Sequence, residues 1–179
     1  DQFDSDIIVK CPNLEETGSY AFHNTIANNV CLLSNNITTI SSGAFYGCPD
    51  TSIDIPNGIT TIGSYAFYGC KNLETIDIPS SVTTIGSCAF MHCNKLTSIT
   101  IPEGIKEISF GLFQMCSGLE EIVLPTSLES IGGWAFSSCD KLKNIEIPST
   151  VTTIGEKAFN YWGYTGREFQ KILIHKQEG

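Results

Sequence analysis

The sequence predicts a repeat solenoid, a stack of similar coils joined through short parallel strands. Three observations predict it. A 23-residue period runs through most of the chain. Each period holds a short stretch of alternating apolar and polar residues. Most periods also place a proline, a glycine and the pair Ala-Phe at fixed offsets. Such self-similarity marks units that cannot enclose their apolar side chains alone and close a core only by stacking.

The period is read directly. Pro56, Pro79, Pro102, Pro125 and Pro148 lie 23 residues apart, as do Phe67, Phe90, Phe113, Phe136 and Phe159. Cys70, Cys93, Cys116 and Cys139 keep the same step, and Phe22 and Phe45 extend the phenylalanine series upstream. The step from Phe45 to Phe67 is 22, a one-residue deletion between Cys48 and Pro56. The clearest copies begin at Leu73, Leu96, Leu119 and Leu142, and one repeat reads L-x-x-I-x-I-P-x-x-[VI]-x-x-I-G-x-x-A-F-x-x-C-x-x.

Taken in order, residues 1–29 form an atypical N-terminal cap, in which "CPNLEETGSYAFHNT" looks like a repeat lacking its proline segment. Residues 30–160 are repeats, and 161–179 hold a last strand and a C-terminal cap, all within one domain. In "LTSITIP", Ile99 and Ile101 alternate with Ser98 and Thr100, the period of a strand with one buried face. Parallel strands are expected near 53–55, 76–78, 99–101, 122–124, 145–147 and 172–174. Proline, lacking an amide hydrogen, ends the first five, and His175 stands in its place after the sixth. "VTTIG" supplies a second short extended piece with Val82 and Ile85 inward, and Gly86 is expected to permit a tight corner. "SCAFMHC" spaces Ala89, Phe90 and Cys93 like a helical turn.

The composition excludes several functions. Charged residues are 16%, net charge is −9, and no basic cluster is present. Nucleic-acid binding needs Lys and Arg to neutralise phosphates, so it is not expected. An anionic membrane surface would repel the chain. No run approaches the roughly 18 apolar residues of a membrane span. The opening "DQFDSDIIVK" reads as neither a secretory signal nor an anchor, which fits a cytoplasmic chain or a mature form lacking its signal. Abundant Thr, Ser, Asn and Gly with few Lys and Arg favour a surface or secreted protein.

The repeated "IP", "IG", "AF" and "C" at a 23-residue spacing resemble the BspA-like leucine-rich repeats of bacterial and protozoan surface proteins. The resemblance covers roughly Ala27 to Lys176. It implies a right-handed leucine-rich-repeat horseshoe, with one parallel β-sheet on the concave face. It also implies adhesion to a host or extracellular matrix protein at the cell surface, with no catalytic residues and no cofactor.

The residues able to carry chemistry fall mostly into the same columns. Cys48, Cys70, Cys93, Cys116 and Cys139 share one column, and five thiols among core residues cannot pair off. They are expected to be buried and reduced, behaving as small hydrophobes. Cys88 stands in a column of Tyr65, Gly111, Trp134 and Lys157, so it is expected to face solvent and react first. Cys11 and Cys31 lie in or beside the cap, and a bridge between them stays open. Cys88, His92 and Cys93 have no second cluster facing them, so no metal site is expected, and His92 reads as a surface residue. His23, His92 and His175 lie on distant coils and cannot assemble a catalytic group. The threonine pairs such as Thr83–Thr84 are broken at Lys106–Glu107 and Glu129–Ser130, which argues for strand propensity over an ice-binding array. Asn36-Ile37-Thr38 is the only glycosylation sequon.

Two outward columns remain. One runs Leu32, Asp54, Asp77, Thr100, Val123, Glu146, Leu173, and its neighbour runs Val30, Ser52, Thr75, Ser98, Glu121, Asn144, Lys171. Varied side chains on a constant scaffold suit a protein-binding solenoid. The expected site is therefore Asp54, Asp77, Thr100, Glu121, Val123 and Glu146. A second candidate surface is the aromatic set Tyr65, Tyr68 and Trp134, with Tyr161, Trp162 and Tyr164 near the end. The main reading is a non-catalytic binding module. The alternative is a structural spacer within a longer surface protein.

Overall fold

Short apolar alternations limited by proline can form only short strands, and that is what the chain adopts. The structure, a computed structural model, describes residues 7–9, 13–24, 30–32, 36–160 and 171–174. Among these, the strands are β1 (Ile7–Val9), β2 (Val30–Leu32), β3 (Thr39–Ile40), β4 (Thr61–Ile62), β5 (Thr84–Ile85) and β6 (Ser98–Thr100). They continue as β7 (Glu107–Ile108), β8 (Glu121–Val123), β9 (Ser130–Ile131), β10 (Asn144–Ile147), β11 (Thr153–Ile154) and β12 (Lys171–Ile174). Every pairing is parallel, and each joins neighbouring coils.

Three backbone ladders run between coils. The "I-x-I" segments give β1–β2, β6–β8 and β10–β12, in three separate sheets. The expected strands appear at 98–100, 121–123, 144–147 and 171–174. Segments 53–55 and 76–78 are not strands; there the coils touch through one isolated bridge, Ser52↔Thr75. The single continuous sheet expected on this side is thus interrupted. The "VTTIG" segments form two three-stranded sheets, β3–β4–β5 and β7–β9–β11.

The third ladder is unbroken, and it runs through the segment expected to be a helical turn. No helix forms there. Alternate amides bond three residues back, as in Ala66 to Gly63, Tyr68 to Tyr65 and Cys70 to Phe67. The amides between them reach the next coil, as in Tyr65 to the Ser87 carbonyl, Phe67 to Ala89 (2.8 Å) and Gly69 to Met91 (2.8 Å). The pattern holds from Tyr20 to Asn160. It requires left-handed backbone at two places per coil. Glycine serves at Gly43, Gly47, Gly69 and Gly111, but Tyr65, Cys88, His92, Met115, Trp134, Ser138 and Lys157 also take φ between 56° and 64°.

The core is a set of stacked columns. Phe22, Phe45, Phe67, Phe90, Phe113, Phe136 and Phe159 stack with ring centroids 5.0–5.7 Å apart. Ile40, Ile62, Ile85, Ile108 and Ile131 are at most 2% exposed. The glycine of "VTTIG" serves close approach and not a corner. A Cβ on Gly63 or Gly132 would lie 2.6 or 2.7 Å from the backbone nitrogen of Ser42 or Phe110, and Gly86 and Gly155 are as tight. Serine at 109 breaks this column. Its hydroxyl takes the Ile85 carbonyl, where the glycine amides of neighbouring coils bond the equivalent carbonyl. The second ladder is divided at this same place, between β5 and β7.

Cys88 departs from expectation, and Asp50 departs from the repeat. Cys88 is buried, at 5% exposure, because its Sγ fills the space that the absent side chain of Gly111 leaves in the next coil. Burial pushes its thiol pKa up. Asp50 takes the place in its coil that Leu73, Leu96, Leu119 and Leu142 hold in theirs, and it is 2% exposed. Neither carboxylate oxygen has a hydrogen-bond partner. Burial raises its pKa to about 6.

Candidate strand-face site

Period-two alternation decides what the "I-x-I" face presents. Ile99 (4% exposed) and Ile145 (1%) point inward, so Ser98, Thr100, Asn144 and Glu146 point out. Asp54, Asp77, Thr100, Glu121, Val123 and Glu146 are all exposed, Val123 to 58%. Strand register sets Ser98 beside Glu121 and Thr100 beside Val123.

The face is not flat. One depression of about 500 Å³ includes Asp77, Thr100, Glu121 and Val123 in its lining. A second, of about 1090 Å³, includes Glu121, Val123 and Glu146. Five of the six expected residues therefore border two adjoining hollows that share Glu121 and Val123, while Asp54 borders neither. The larger hollow is also walled by Glu120, Asp140, Lys141 and Lys143, which precede the strands and which the outward columns did not include. Lys141 Nζ bonds Glu120 Oε1 at 2.8 Å and holds that carboxyl below the usual carboxylate range.

The aromatic surface differs from its expected form. Tyr65 and Tyr68 do meet, with centroids 5.9 Å apart. The set continues through Tyr46, stacked on Tyr68 at 4.7 Å, to Tyr20 and His23, and ends at His92 against Tyr68. The shared spacing of Tyr46 and Tyr68 is the signal in the sequence that points to this extension. Lys157 Nζ lies 4.9 Å from the Trp134 ring centroid. His92 is half-buried, and burial lowers its pKa. Tyr161, Trp162, Tyr164, His175, Cys11 and the Cys31 side chain lie outside the described residues. Among the described residues, no three His, Cys, Asp or Glu side chains group as metal ligands, and no helix is long and apolar enough to cross a membrane.

Parallel coils with buried leucine, isoleucine and phenylalanine columns define a leucine-rich-repeat solenoid. The sequence matches the BspA type leucine rich repeat region in six copies, over residues 5–52 and 38–164. The chain belongs to the BspA-type leucine-rich-repeat family. It is similar to a leucine rich cell surface protein of Faecalibacterium prausnitzii, at 32% identity over 86% of this chain and 44% of the other, with TM-score 0.73. It is also similar to a leucine-rich repeat protein of Bacteroides ovatus, at 30% identity over 95% and 51%, with TM-score 0.73. A leucine-rich repeat protein of Eubacterium ventriosum gives 26% identity over 90% and 44%, with TM-score 0.77. The chain spans about half the length of these proteins. No curated protein matches it.

Proposed function

We propose that the chain is a non-catalytic protein-binding module of a cell-surface or secreted adhesin-like protein, and that it binds through the strand face. The observation that carries this reading is the contrast between columns. Inward positions repeat Leu, Ile and Phe, while the outward positions change from coil to coil and border two hollows. A rigid scaffold with varied outward side chains is the design of repeat proteins that recognise other proteins. The surface location rests on the Faecalibacterium relative, which is described as a cell surface protein.

Asp54, Asp77, Glu121 and Glu146 lie on this face, where their fields add, so the partner would present a basic patch. The test is binding to a panel of immobilised extracellular matrix and serum proteins. The variant D54S/D77S/E121S/E146S should keep the fold, since exposed substitutions cost within about 0.5 kcal/mol each. It should slow association about tenfold, and added salt should do the same. A partner whose affinity ignores both changes would move the site to the aromatic set. A chain that binds nothing in the panel would favour the spacer alternative.

A further inference from the structure

Coil after coil, one buried position belongs to leucine. Leu73, Leu96, Leu119 and Leu142 fill it, and the amide of each bonds the cysteine carbonyl three residues back at 3.0–3.2 Å. Asp50 holds this position in its own coil, two residues after Cys48, and does not repeat that bond. Its carboxyl is buried, and neither oxygen has a hydrogen-bond partner. A carboxylate in such a place loses its hydration with nothing in return.

Among the described residues, no neighbouring cation offsets that loss; burial is the main influence on the carboxyl and raises its pKa. The titratable group coupled to Asp50 from the next coil is the Cys70 thiol, which burial keeps neutral. Cys48, on the same segment as Asp50, donates its thiol to the Phe22 carbonyl. Lys71, Glu74 and Asp54 are exposed. The preceding stretch, 25–35, contains no charged residue, and Cys31 is its one titratable group.

The segment around Asp50 is also lightly held. Residues 98–100 and 121–123 lie in paired strands. Residues 49–55 instead reach the next coil through the Glu74 N–H on the Thr51 carbonyl (2.9 Å), the Asn72 Nδ2 on the Pro49 carbonyl (3.2 Å) and the isolated bridge Ser52↔Thr75. Lifting them breaks few bonds and returns the carboxyl to water.

We propose that Asp50 is a pH-sensitive latch: ionisation of its carboxyl loosens residues 49–55 from the next coil, so the segment opens more often as pH rises from acid to neutral. Asp54 of the strand face rides on this segment. The latch does not depend on the reading of that face as a binding surface.

The direction follows from the raised pKa. Below about pH 4 the carboxyl is neutral whether the segment is closed or open, and opening is unaffected. Between about pH 4 and pH 6 the open form ionises first. Above pH 6 the gain is complete, at about 100-fold in the opening equilibrium.

Native-state exchange of the Glu74 amide, corrected at each pH for the intrinsic rate, reads the opening. Its protection should fall about 100-fold between pH 4 and pH 7. At pH 7, low urea should leave Glu74 exchange unchanged while speeding that of the Phe113 amide, because the opening exposes little surface. Asp50→Asn, and Asp50→Leu, which restores the residue of the other coils, should each reduce the pH effect to less than about threefold. The proposal is overturned if the protection of Glu74 is flat with pH or if both variants keep its fall. It is overturned equally if urea speeds Glu74 as steeply as Phe113, since the opening would then be global unfolding.

Discussion

Cys93 Sγ donates a hydrogen bond to the Phe67 carbonyl at 3.2 Å, across two adjacent coils. That carbonyl already accepts the Cys70 amide at 3.2 Å, so the thiol takes its second lone pair. Cys48, Cys70, Cys116 and Cys139 repeat the contact at 3.0–3.1 Å. The column uses cysteine because the site needs a small apolar group that is also a donor. Cys93→Ala should cost about 1–3 kcal/mol in urea unfolding, through the lost volume and the lost donor.

The same burial sets thiol reactivity. It pushes the Cys116 pKa up to about 12 and raises those of Cys70, Cys93 and Cys139 well above the usual range. Cys88 should react as slowly as these, not first. Mass-resolved alkylation of native protein should leave all five unmodified, and unfolding should expose them together. Rapid native labelling of Cys88 would refute its placement.

Gly132→Ala should be among the most damaging single changes, at about 2–4 kcal/mol, because the new Cβ meets backbone that cannot rotate away. Ser109→Gly should cost no more than about 1 kcal/mol, glycine's entropy cost, since a glycine amide can take the Ile85 carbonyl that the serine hydroxyl holds, as in the neighbouring coils. Thermal unfolding of the two variants gives the comparison.

Asp50 should make stability fall as pH rises. Its folded pKa is about 6 against an ordinary value of 3.8. Below the ordinary value the carboxyl is neutral in both states and no penalty applies. Between about pH 4 and pH 6 the unfolded chain loses the proton first, and above pH 6 the loss from this residue approaches about 3 kcal/mol. Asp50→Asn should flatten the curve of urea midpoint against pH over that window. An unchanged slope would mean that the carboxyl is solvated.

Met115 is strained by its left-handed backbone, at φ 61°. Met115→Gly should raise stability by up to about 1 kcal/mol, and Met115→Val should lower it by about 1–2 kcal/mol, because β-branching is poorly tolerated there. Denaturant midpoints would read both.

The solenoid is legible in the sequence because its determinants recur. Pro102, Phe90 and Cys93 each have counterparts one period away, so stacking follows from counting. The outward columns are legible for the same reason, since inward Ile99 and Ile145 fix what must point out. The turn is not, because Ala89, Phe90 and Cys93 have helical spacing, while the left-handed residues beside them are mostly not glycine. The burial of Cys88 is hidden because it depends on Gly111 in another coil. Asp50 is hidden by the deletion before Pro56, which shifts the count until it is made backward from Ile53. The breaks in the strand-side sheet leave no mark in any single repeat, because they depend on how two strands meet.

The turn ladder holds the coils together, which leaves the strand face free to vary and to open. Native-state amide hydrogen exchange tests this most directly. The Phe67 and Phe113 amides, bonded to Ala89 and Ala135 at 2.8 Å, should exchange only with global unfolding. The Glu120 amide, bonded to the Thr97 carbonyl at 2.8 Å, should be protected, while the Lys143 amide, its counterpart where the ladder breaks between β8 and β10, should exchange roughly 100-fold faster. Equal protection of Glu120 and Lys143, with Phe67 and Phe113 exchanging early, would contradict this division of labour between turn and strand face.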